Sequence, residues 1–409
     1  MKAGGKNKLI APEQALALVL EHAPVGLPVK APLTAACRHV AAEDIAASAA
    51  YPWFSFSAMD GYAVASADLV AASADNRVTL PVDAEIRAGN TEKMTLPRSR
   101  AMRIMTGAPL PEGADSVVPR EEVGEEGQSA VFSAAAEPGR FINRAGEEIA
   151  AGEVVWRAGE MLTPAAVGLL AALGVDSVSV YLRPVVSVVS TGDELVEPGE
   201  ARAHGQIFDS LTPALSCALA DELCYEIHQY RCPDDRESLY CMLGLALEKT
   251  DLVLAAGGVS VGDYDFSLPV FERLEVRKIF HGVDQKPGKP LYFGTKGEKA
   301  VFGLPGNPAS ALACFYLYVR PAIRRFAGFV DPGPAWKKGR LAGPVENRQA
   351  RTHFVRGQAT LTGTGWEVKP AGRQSSYMLV SFSRANALVK LPPGPVSLAG
   401  GEEVDFLLL

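Results

Sequence analysis

The sequence predicts a multidomain α/β protein in which a strand–helix module lies between two strand-rich segments. The chain has 409 residues, whereas a single hydrophobic core rarely serves more than about 250–300 residues. After Pro184, short apolar runs alternate with segments of helical periodicity, which indicates a mixed or mostly parallel sheet covered on both faces. The flanking segments consist of apolar runs interrupted by Gly and Pro, which is typical of short strands and turns.

The strand–helix module can be divided into individual elements. Buried strands are predicted at 185–189, 225–230 and 252–256, with shorter strands near Ile279, Leu291 and Val301. Helices are predicted to begin at Thr212-Pro213, after a cap at Asp234 or Asp235, and at Asn307-Pro308, the last helix ending near Phe326.

The outer segments differ from this pattern. Residues 27–145 and 337–409 read as strands and turns. Between the first of these segments and the module, Thr163 and Pro164 are predicted to start a helix as N-cap and first helical residue, and Gly174 to end it.

Composition and charge exclude several classes of function. A hydrophobic content of 48% with 21% charged residues argues against extensive disorder. The net charge of −7 argues against general affinity for nucleic acid or an anionic membrane. No apolar stretch reaches the roughly 18 residues that a membrane span needs. Residues 1–24 are interpreted as a tail and an amphipathic helix, not as a signal peptide.

The cysteines favour a reduced, cytoplasmic protein with buried thiols. None forms a CxxC pair or a Cys/His metal motif, although four lie within residues 217–241, which leaves a zinc site as the alternative. The six cysteines are Cys37, Cys217, Cys224, Cys232, Cys241 and Cys314.

Three predicted strands are followed by segments rich in glycine, hydroxyls and carboxylates. These segments are STGDE (190–194), GGVSVGDYD (257–265) and GLPGNPAS (303–310). Because ligands bind beyond the carboxyl ends of strands in open α/β sheets, we expect the three segments to share one binding edge. Glycine allows close backbone approach to phosphate, and the helix that follows Asn307 adds a positive potential at its amino end.

Three carboxylates are expected near this edge: Glu194, Asp234 and Asp265. Carboxylates beside phosphate are consistent with a bound Mg²⁺, which takes oxygen ligands and offsets the charge repulsion. The alternatives are a helix cap for Asp234 and solvated turn acids for the other two. The metal interpretation is favoured for Asp265.

Basic residues in two later segments can balance an anion. Lys286 and Lys289 flank a Pro-Gly pair in KPGKP, which predicts a fixed basic corner. Arg356 in RTHFVRG offers a guanidinium suited to gripping an oxyanion with two hydrogen bonds. In the earlier strand-rich segment, Asp60 and Thr106 lie in turns beside strands, and a site shared between domains or subunits would explain them.

Six segments in this order resemble the molybdopterin molybdenumtransferase family, which includes the MoeA proteins and the gephyrin E domain. The resemblance covers nearly the whole chain from about Leu9. The segments are SAMDGYAV (57–64), RIMTGAPLPEGADSVV (103–118), STGDEL (190–195), GGVSVGDYDF (257–266), KPGKP (286–290) and LPGNPAS (304–310).

The resemblance implies Mg²⁺-dependent hydrolysis of adenylylated molybdopterin and insertion of molybdate into its dithiolene. It assigns catalytic roles to Asp60, Thr106, Glu194, Asp234 and Asp265. The last three of these would also bind the metal. Substrate-binding roles go to Gly257, Gly258, Ser260, Gly262, Lys286, Lys289, Pro305, Gly306, Asn307, Ser310, Arg356 and Ser376.

The resemblance also implies a four-part fold. An elongated linker domain (1–26 and 146–180) would carry a β-rich inserted domain (27–145). A molybdopterin-binding α/β domain (181–328) and a C-terminal β-barrel domain (329–409) would follow. We further expect a homodimer whose site is shared between subunits, which accounts for Asp60, and contact with molybdopterin adenylyltransferase.

Three positions depart from the family pattern: Glu148 stands where Asp is frequent, Gly282 where many members have Lys, and Ser375 where Gly is usual. The change at Gly282 leaves open a specialised paralogue that uses another metal, such as tungstate. A molybdopterin adenylyltransferase is the alternative enzyme, but a Gly-Gly-Thr-Gly loop is expected there, where this chain has Gly-Gly-Val-Ser. A non-catalytic molybdopterin-binding scaffold would not need the retained acids and lysines, and a generic sugar or nucleotide enzyme would not need the converging basic residues.

Overall fold

The computed structural model describes residues 9–259 and 266–409. The chain divides into two compact units, each discontinuous in sequence. The larger unit comprises Met1–Ala42, Gly159–Thr163 and Ser177–Leu409. The smaller unit comprises Glu43–Ala158 and Pro164–Asp176.

The helices and strands are numbered in chain order. The α-helices are α1 (Pro12–His22), α2 (Pro164–Ala172), α3 (Leu211–Asp221), α4 (Arg236–Lys249), α5 (Ser267–Arg273), α6 (Pro308–Cys314), α7 (Arg320–Phe326) and α8 (Leu379–Ser383). Short 3-10 helices lie at Leu33–Ala35, Ser66–Leu69 and Arg120–Glu122, and a π-helical segment lies at Phe315–Val319.

Strands of the first half are β1 (Pro28–Pro32), β2 (Val40–Ala41), β3 (Ile45–Ala46), β4 (Phe56–Ser57), β5 (Gly61–Val64), β6 (Val78–Ile86), β7 (Ala101–Ile104), β8 (Ser116–Pro119), β9 (Val123–Glu126), β10 (Ser129–Phe132), β11 (Ile142–Asn143), β12 (Val154–Trp156) and β13 (Ser177–Tyr181). Strands of the central module are β14 (Val186–Thr191), β15 (Leu195–Val196), β16 (Ile207–Phe208), β17 (Ile227–Cys232), β18 (Leu252–Ala256), β19 (Arg277–His281), β20 (Gln285–Lys286), β21 (Tyr292–Lys296) and β22 (Lys299–Leu304). The last strands are β23 (Trp336–Leu341), β24 (Val345–Asn347), β25 (Thr352–Thr362), β26 (Gly365–Pro370), β27 (Ala387–Leu391), β28 (Val396–Leu398) and β29 (Glu403–Leu408).

The smaller unit is built around a six-stranded sheet with the order β8-β5-β7-β6-β10-β9. Tyr62, Leu80 and Phe132 are buried together against one part of this sheet. The helix predicted from Thr163-Pro164 is confirmed as α2, which begins at Pro164. The six-stranded sheet confirms the prediction that this part of the sequence is rich in strands.

The central module of the larger unit is an α/β sheet with the order β17-β14-β18-β22-β21-β19. The first four strands are parallel, while β21 and β19 pair antiparallel at one edge. Val188 and Leu254 pack into one core cluster with α3 and α6. Val189 and Val253 pack into another with α4 and α5. Because neighbouring strand residues face opposite sides, both faces are covered, as the uniformly apolar strands predicted.

The helix starts of the central module agree with the predictions at α4 and differ in detail at α3 and α6. Helix α3 begins at Leu211, before the predicted Thr212-Pro213, because Asp209 accepts hydrogen bonds from the Leu211 and Thr212 N–H groups, each at 3.0 Å. Helix α4 is capped by Asp235, one of the two predicted caps. Asn307 makes no side-chain cap for α6, although its carbonyl accepts from the next turn. The predicted long helix reaches Phe326 through α6, the π-helical segment and α7.

The C-terminal strands close into a barrel, in agreement with the expected fold. Strands β25-β26-β23-β29-β27 pair in sequence, and β27 pairs again with β25. Val355, Val389 and Phe406 lie in its core. Strand β20 of the central module pairs in parallel with the start of β25. This pairing places the basic corner of the sequence beside the barrel.

The cysteines only partly match the expectation of buried thiols. Cys224, Cys232 and Cys314 are buried, but Cys217 and Cys241 are exposed because they lie on the outer faces of α3 and α4. The described residues contain no cluster of three or more His, Cys, Asp or Glu side chains arranged to hold a metal, so nothing there supports a zinc site. Within the same part of the chain, no helix has the length and apolar character needed to cross a membrane.

Candidate active site

A pocket of about 280 Å³ lies at the carboxyl ends of β14, β18 and β22. Its lining combines the segments that the sequence singled out after these three strands, which confirms that they share one edge of the sheet. We call it the strand-end pocket. Its lining includes Thr191, Glu194, Asp234, Gly257, Gly258 and Gly306.

Two glycines at the end of β18 adopt conformations that favour glycine. Gly257 has φ +103° and Gly258 has φ +63°. A Cβ at Gly258 would lie 2.7 Å from Ser267 Oγ. Ser267 also ties down the turn, because its N–H donates to the Gly258 carbonyl at 3.2 Å and its hydroxyl to the Gly257 carbonyl at 3.3 Å.

The backbone of this turn is less available to a ligand than the sequence suggested. The Gly257 N–H donates to the Leu304 carbonyl at 3.1 Å, so it serves the sheet and not a phosphate. A Cβ at Gly306 would lie 3.7 Å from Gly257 Cα, which brings the loops after β18 and β22 into close approach. Gly257 therefore offers a ligand space and not a free N–H group.

Glu194 and Asp234 both line the strand-end pocket. The Thr191 hydroxyl donates to Asp234 Oδ1 at 3.1 Å, and the Asp234 N–H donates to Asp193 Oδ1 at 3.2 Å. Since Asp235 caps α4, the carboxylate of Asp234 is free of that role. Thr191 and Asp193 are functional candidates that sequence reasoning missed, although both lie within the STGDE segment.

The carboxylate of Glu194 lies back over Gly192. A Cβ at Gly192 would come within 2.5 Å of Glu194 Oε2. The carboxylate can therefore occupy this position only because residue 192 has no side chain. Two carboxylates in a pocket at a sheet edge are a donor set that suits Mg²⁺, which is commonly bound by one or two carboxylates together with substrate phosphates. Ser260, Gly262 and Asp265, predicted for the same site, lie outside the described residues.

Buried hydrogen bonds hold the backbone of the basic corner, residues 286–290, in place. Gln285 Nε2 donates to the Pro287 carbonyl at 2.9 Å, and the Tyr318 hydroxyl donates to Gln285 Oε1. Gly288 sits directly on Cys314, because a Cβ there would lie 2.4 Å from the Cys314 Sγ. The corner is therefore held against the π-helical segment, which carries Tyr318.

The side chains of the corner differ in exposure. Lys286 is half-buried and Lys289 is exposed, so both ammonium groups can meet a ligand. Ser310, in contrast, is buried within α6, where its N–H donates to the Asn307 carbonyl at 2.9 Å. Pro305 is also buried, whereas Asn307 is exposed beside Gly306 at the rim.

Arg356 is a buried cation with unused hydrogen-bonding capacity. Its side chain is 1% exposed, and burial lowers the pKa of its guanidinium. Nη2 donates to the carbonyls of Arg373 at 3.3 Å and Ser375 at 3.2 Å. Nε and Nη1 have no hydrogen-bond partner within the described part of the chain. Because buried N–H groups are rarely left unpaired, these two nitrogens are candidates for contact with an anion. Ser376, predicted for the same role, is half-buried and follows Ser375 in the chain.

His353 lies close to Lys286 and Arg356, and sequence reasoning did not single it out. It is the register partner of Lys286 across β20 and β25 and is 6% exposed. Burial, together with the charges of Lys286 and Arg356, lowers its pKa to about 4. The imidazole is therefore neutral at pH 7, and its Nε2 has no partner among the residues described. The signal that sequence reasoning could have used is the position of His353 three residues before Arg356 in RTHFVRG.

Asp60 and Thr106 lie in the smaller unit. The Thr106 N–H and hydroxyl each donate to Asp60 Oδ1 at 2.7 Å. These two hydrogen bonds lower the pKa of the Asp60 carboxyl, with the backbone bond as the larger cause. Asp60 and Thr106, which lie in separate sequence motifs, are therefore in direct contact through hydrogen bonds.

Comparisons with known proteins cover nearly the whole chain. Residues 10–174 match a family model described as the MoeA N-terminal region (domain I and II). Residues 187–325 match one described as a probable molybdopterin binding domain. Residues 338–409 match the MoeA C-terminal region (domain IV).

Individual relatives agree with the family models. Molybdopterin molybdenumtransferases of Staphylococcus aureus (strain MRSA252) and Staphylococcus epidermidis (strain ATCC 35984) are each 34% identical over 90% of this chain and 88% of their own. The crystal structure of a molybdopterin biosynthesis MoeA protein from Pyrococcus horikoshii has a TM-score of 0.83 at 33% identity. It covers 98% of this chain and 99% of that protein.

The fold combines a module that matches a molybdopterin-binding domain with a C-terminal barrel. This combination defines an enzyme of molybdenum cofactor biosynthesis. More narrowly, the chain belongs to the molybdopterin molybdenumtransferase family, the MoeA proteins.

Proposed function

We propose that the protein hydrolyses the phosphoanhydride of adenylylated molybdopterin and inserts molybdate into the dithiolene, giving molybdenum cofactor and AMP. The observation that carries this proposal is the strand-end pocket. It places Glu194 and Asp234 beside the Gly257-Gly258 turn, at the edge where a parallel sheet binds phosphorylated ligands. This edge belongs to the part of the chain that matches the molybdopterin-binding model.

Glu194 and Asp234, together with Asp265, would hold Mg²⁺ in this pocket. When bound, Mg²⁺ would offset the charge that develops on the phosphate oxygens during cleavage of the anhydride. The chain's own contribution is orientation. Thr191 donates to one oxygen of Asp234, and no described residue donates to the second oxygen. Gly192 leaves room for the carboxylate of Glu194.

Molybdate is a dianion, so basic side chains suit it as a substrate. Lys286, Lys289 and Arg356 would contact its oxygens, and Ser376 would add a hydroxyl. The support for this assignment is the pair of unpartnered guanidinium nitrogens of Arg356 among the described residues. A buried cation with free N–H groups gains most from a charge-assisted hydrogen bond to an oxyanion.

Asp60 and Thr106 would act on the same substrate across a homodimer. In this proposal the pair from one subunit completes the site of the other, and adenylylated molybdopterin arrives by contact with molybdopterin adenylyltransferase in the cytoplasm. The lowered pKa of Asp60 keeps its carboxylate charged, which suits a metal-binding role.

The test is to incubate purified protein with adenylylated molybdopterin, Mg²⁺ and molybdate, and to measure both AMP and active cofactor. We expect both products to form together and to require Mg²⁺. Binding without AMP release would overturn the proposal in favour of a molybdopterin-binding scaffold. A second reaction supplies ATP and unmodified molybdopterin in place of the adenylylated form. Consumption of ATP there would instead indicate an adenylyltransferase.

A parallel reaction with tungstate addresses the unusual Gly282. This residue has φ +94°, and a Cβ there would lie 2.8 Å from Leu9 Cδ2, so the local backbone itself requires glycine. A lysine at this position would therefore be strained in this backbone conformation. Preferential use of tungstate would identify a specialised paralogue.

A further inference from the structure

Gln374 holds the backbone of Arg356 through both ends of its side-chain amide. Its Oε1 accepts a hydrogen bond from the Arg356 N–H at 2.9 Å, and its Nε2 donates to the Arg356 carbonyl at 3.1 Å. The same Nε2 also donates to the Gly372 carbonyl at 3.1 Å, which fixes the amide within its own segment of the chain. The proposed reaction gives Gln374 no role.

This contact lies where strand β26 stops pairing with β25. Pro370 is the last residue of β26 and the register partner of Gly357. One residue further, the Ala371 N–H still donates to the Arg356 carbonyl at 2.8 Å. The Arg356 N–H, however, has the side chain of Gln374 as its acceptor instead of a strand carbonyl. Because a buried N–H without a partner is costly, the amide of Gln374 takes over a hydrogen bond that β26 no longer makes.

The same segment also holds the guanidinium of Arg356. Its Nη2 donates to the carbonyls of Arg373 and Ser375 at 3.3 and 3.2 Å. These are the residues directly before and after Gln374, so a shift of Gln374 would move both acceptors of Nη2. Three consecutive residues, 373–375, therefore fix the backbone and the side chain of Arg356 together.

The orientation of this guanidinium matters because Arg356 is only 1% exposed, so water cannot compensate for a misplaced donor. Its Nη2 is committed to the two carbonyls. Its Nε and Nη1 have no partner among the described residues and are the donors left for an anion. Donors that are already oriented bind an anion without first losing conformational freedom.

We infer that Gln374 is a positioning residue for the proposed oxyanion site. The inference rests on the proposed function, which makes molybdate the ligand of Arg356. Gln374 does not contact the oxyanion itself. It holds Arg356 so that Nε and Nη1 stay available, and it anchors the chain that leads to Ser376, two residues further on.

Asn386 provides a matched control on the same strand. Its Oδ1 accepts from the Ala359 N–H at 2.7 Å, and its Nδ2 donates to the Ala359 carbonyl at 2.9 Å. Asn386 directly precedes β27 and holds β25 just beyond the residues that pair with that strand. The contact is therefore equivalent to that of Gln374, but Ala359 has a methyl side chain and cannot bind an anion.

The experiment compares Gln374→Met with Asn386→Leu in the full-length protein. Each substitution removes an amide and keeps a side chain of similar size, and both should lower the urea unfolding midpoint. Cofactor formation is then measured with varied molybdate. We expect Gln374→Met to raise KM for molybdate by about tenfold and to change kcat by less than about threefold, because oriented charge-assisted hydrogen bonds are lost. Asn386→Leu should keep the wild-type KM.

Calorimetric titration with molybdate alone adds a measurement that needs no turnover. It should show weaker binding to Gln374→Met than to the wild type or Asn386→Leu. The inference is overturned if Gln374→Met binds and uses molybdate normally, or if both variants change in parallel, which would indicate a general loosening of β25. If Gln374→Met does not fold, Gln374→Asn replaces it, since its amide is one methylene shorter and cannot make both hydrogen bonds. A wild-type KM in that variant also overturns the inference.

The variant Arg356→Gln separates this inference from the proposed function. If Arg356→Gln abolishes the use of molybdate while Gln374→Met behaves as the wild type, the proposed chemistry stands and the positioning role fails. If molybdate binds more weakly to Gln374→Met but the wild type releases no AMP from adenylylated molybdopterin, the positioning role stands and the proposed chemistry fails.

Discussion

Thr106 donates two hydrogen bonds to a single carboxylate oxygen of Asp60, one from its N–H and one from its hydroxyl, each at 2.7 Å. Both bonds favour the charged carboxylate, and they hold its pKa below the usual value even though the side chain is exposed. The two residues therefore function as one group, and the ionisation of Asp60 depends on Thr106.

We predict that Thr106→Val raises the pKa of Asp60 part of the way towards that of an ordinary aspartate. The substitution removes the hydroxyl donor but keeps the backbone N–H, which is the larger cause of the lowered pKa. A lowered carboxyl pKa contributes stability that is present at neutral pH and is lost as the pH falls through the folded-state pKa. Carbon-13 NMR titration of the Asp60 carboxyl measures the change. Thr106→Ser, which keeps the hydroxyl, should titrate like the wild type, and an unchanged titration in Thr106→Val would contradict the prediction.

Asp234 and Asp235 are adjacent, yet the structure gives them different roles. Asp235 accepts from the Glu237 and Ser238 N–H groups and caps α4. Asp234 lines the strand-end pocket. We predict that Asp234→Asn lowers AMP release roughly a hundredfold, because it removes a charge beside the developing phosphate charge while keeping the oxygen that accepts from Thr191. Asp235→Asn, which preserves the cap, should change AMP release by less than about twofold.

Stability measurements complete this comparison. Asp235→Ala should lower the free energy of unfolding by about 0.5–2 kcal/mol, since a capping side chain is lost, while AMP release per folded molecule is retained. Asp234→Asn should leave the urea unfolding midpoint unchanged. If Asp235→Asn proves the more damaging to catalysis, the roles of the two residues have been assigned the wrong way round.

The sheet and its binding edge could be predicted because their signals are local. Residues 252–256 form a continuous apolar run between Asp251 and Gly257, and the structure places β18 at the same residues. Glycines and polar groups directly after strands must lie at the sheet edge, whichever strands are neighbours. The strand-end pocket therefore followed from chain order alone.

The hydrogen bonds and packing that hold the basic residues in place could not be predicted, because they depend on contacts between distant segments. Tyr318 reaches Gln285 across 33 positions of the sequence. The burial of His353 depends on β20 joining the barrel, which no local pattern shows. The π-helical segment Phe315–Val319 lies inside an apolar stretch that reads as an ordinary helix.

The hydrogen bond from Tyr318 to Gln285 leads to a prediction about the basic corner. Tyr318→Phe removes the donor and leaves Gln285 Oε1 unsatisfied in a buried position. We expect a loss of about 1–3 kcal/mol in the free energy of unfolding. We also expect a severalfold rise in KM for molybdate with a smaller change in kcat, because Gln285 also holds the Pro287 carbonyl beside Lys286.

Steady-state kinetics with varied molybdate measures this effect. Tyr292→Phe is the matched control, since Tyr292 is buried in the same module but lies away from the corner. Its KM for molybdate should equal that of the wild type. A less stable Tyr318→Phe protein with an unchanged KM would show that the network supports only the fold.

The last prediction concerns acid stability and His353. Burial, together with the charges of Lys286 and Arg356, lowers the pKa of this imidazole from about 6.5 to about 4. The folded protein therefore binds this proton less readily than the unfolded chain. For a histidine with a lowered pKa, the associated stability is present above pH 6.5 and is lost as the pH falls towards 4. The loss should be on the order of 2–3 kcal/mol between these values. His353→Gln should abolish that part of the pH dependence, as measured by urea unfolding at pH 7 and pH 4.5. His204→Gln, at an exposed position, should retain it, and a wild-type slope in His353→Gln would show that another group causes the acid sensitivity.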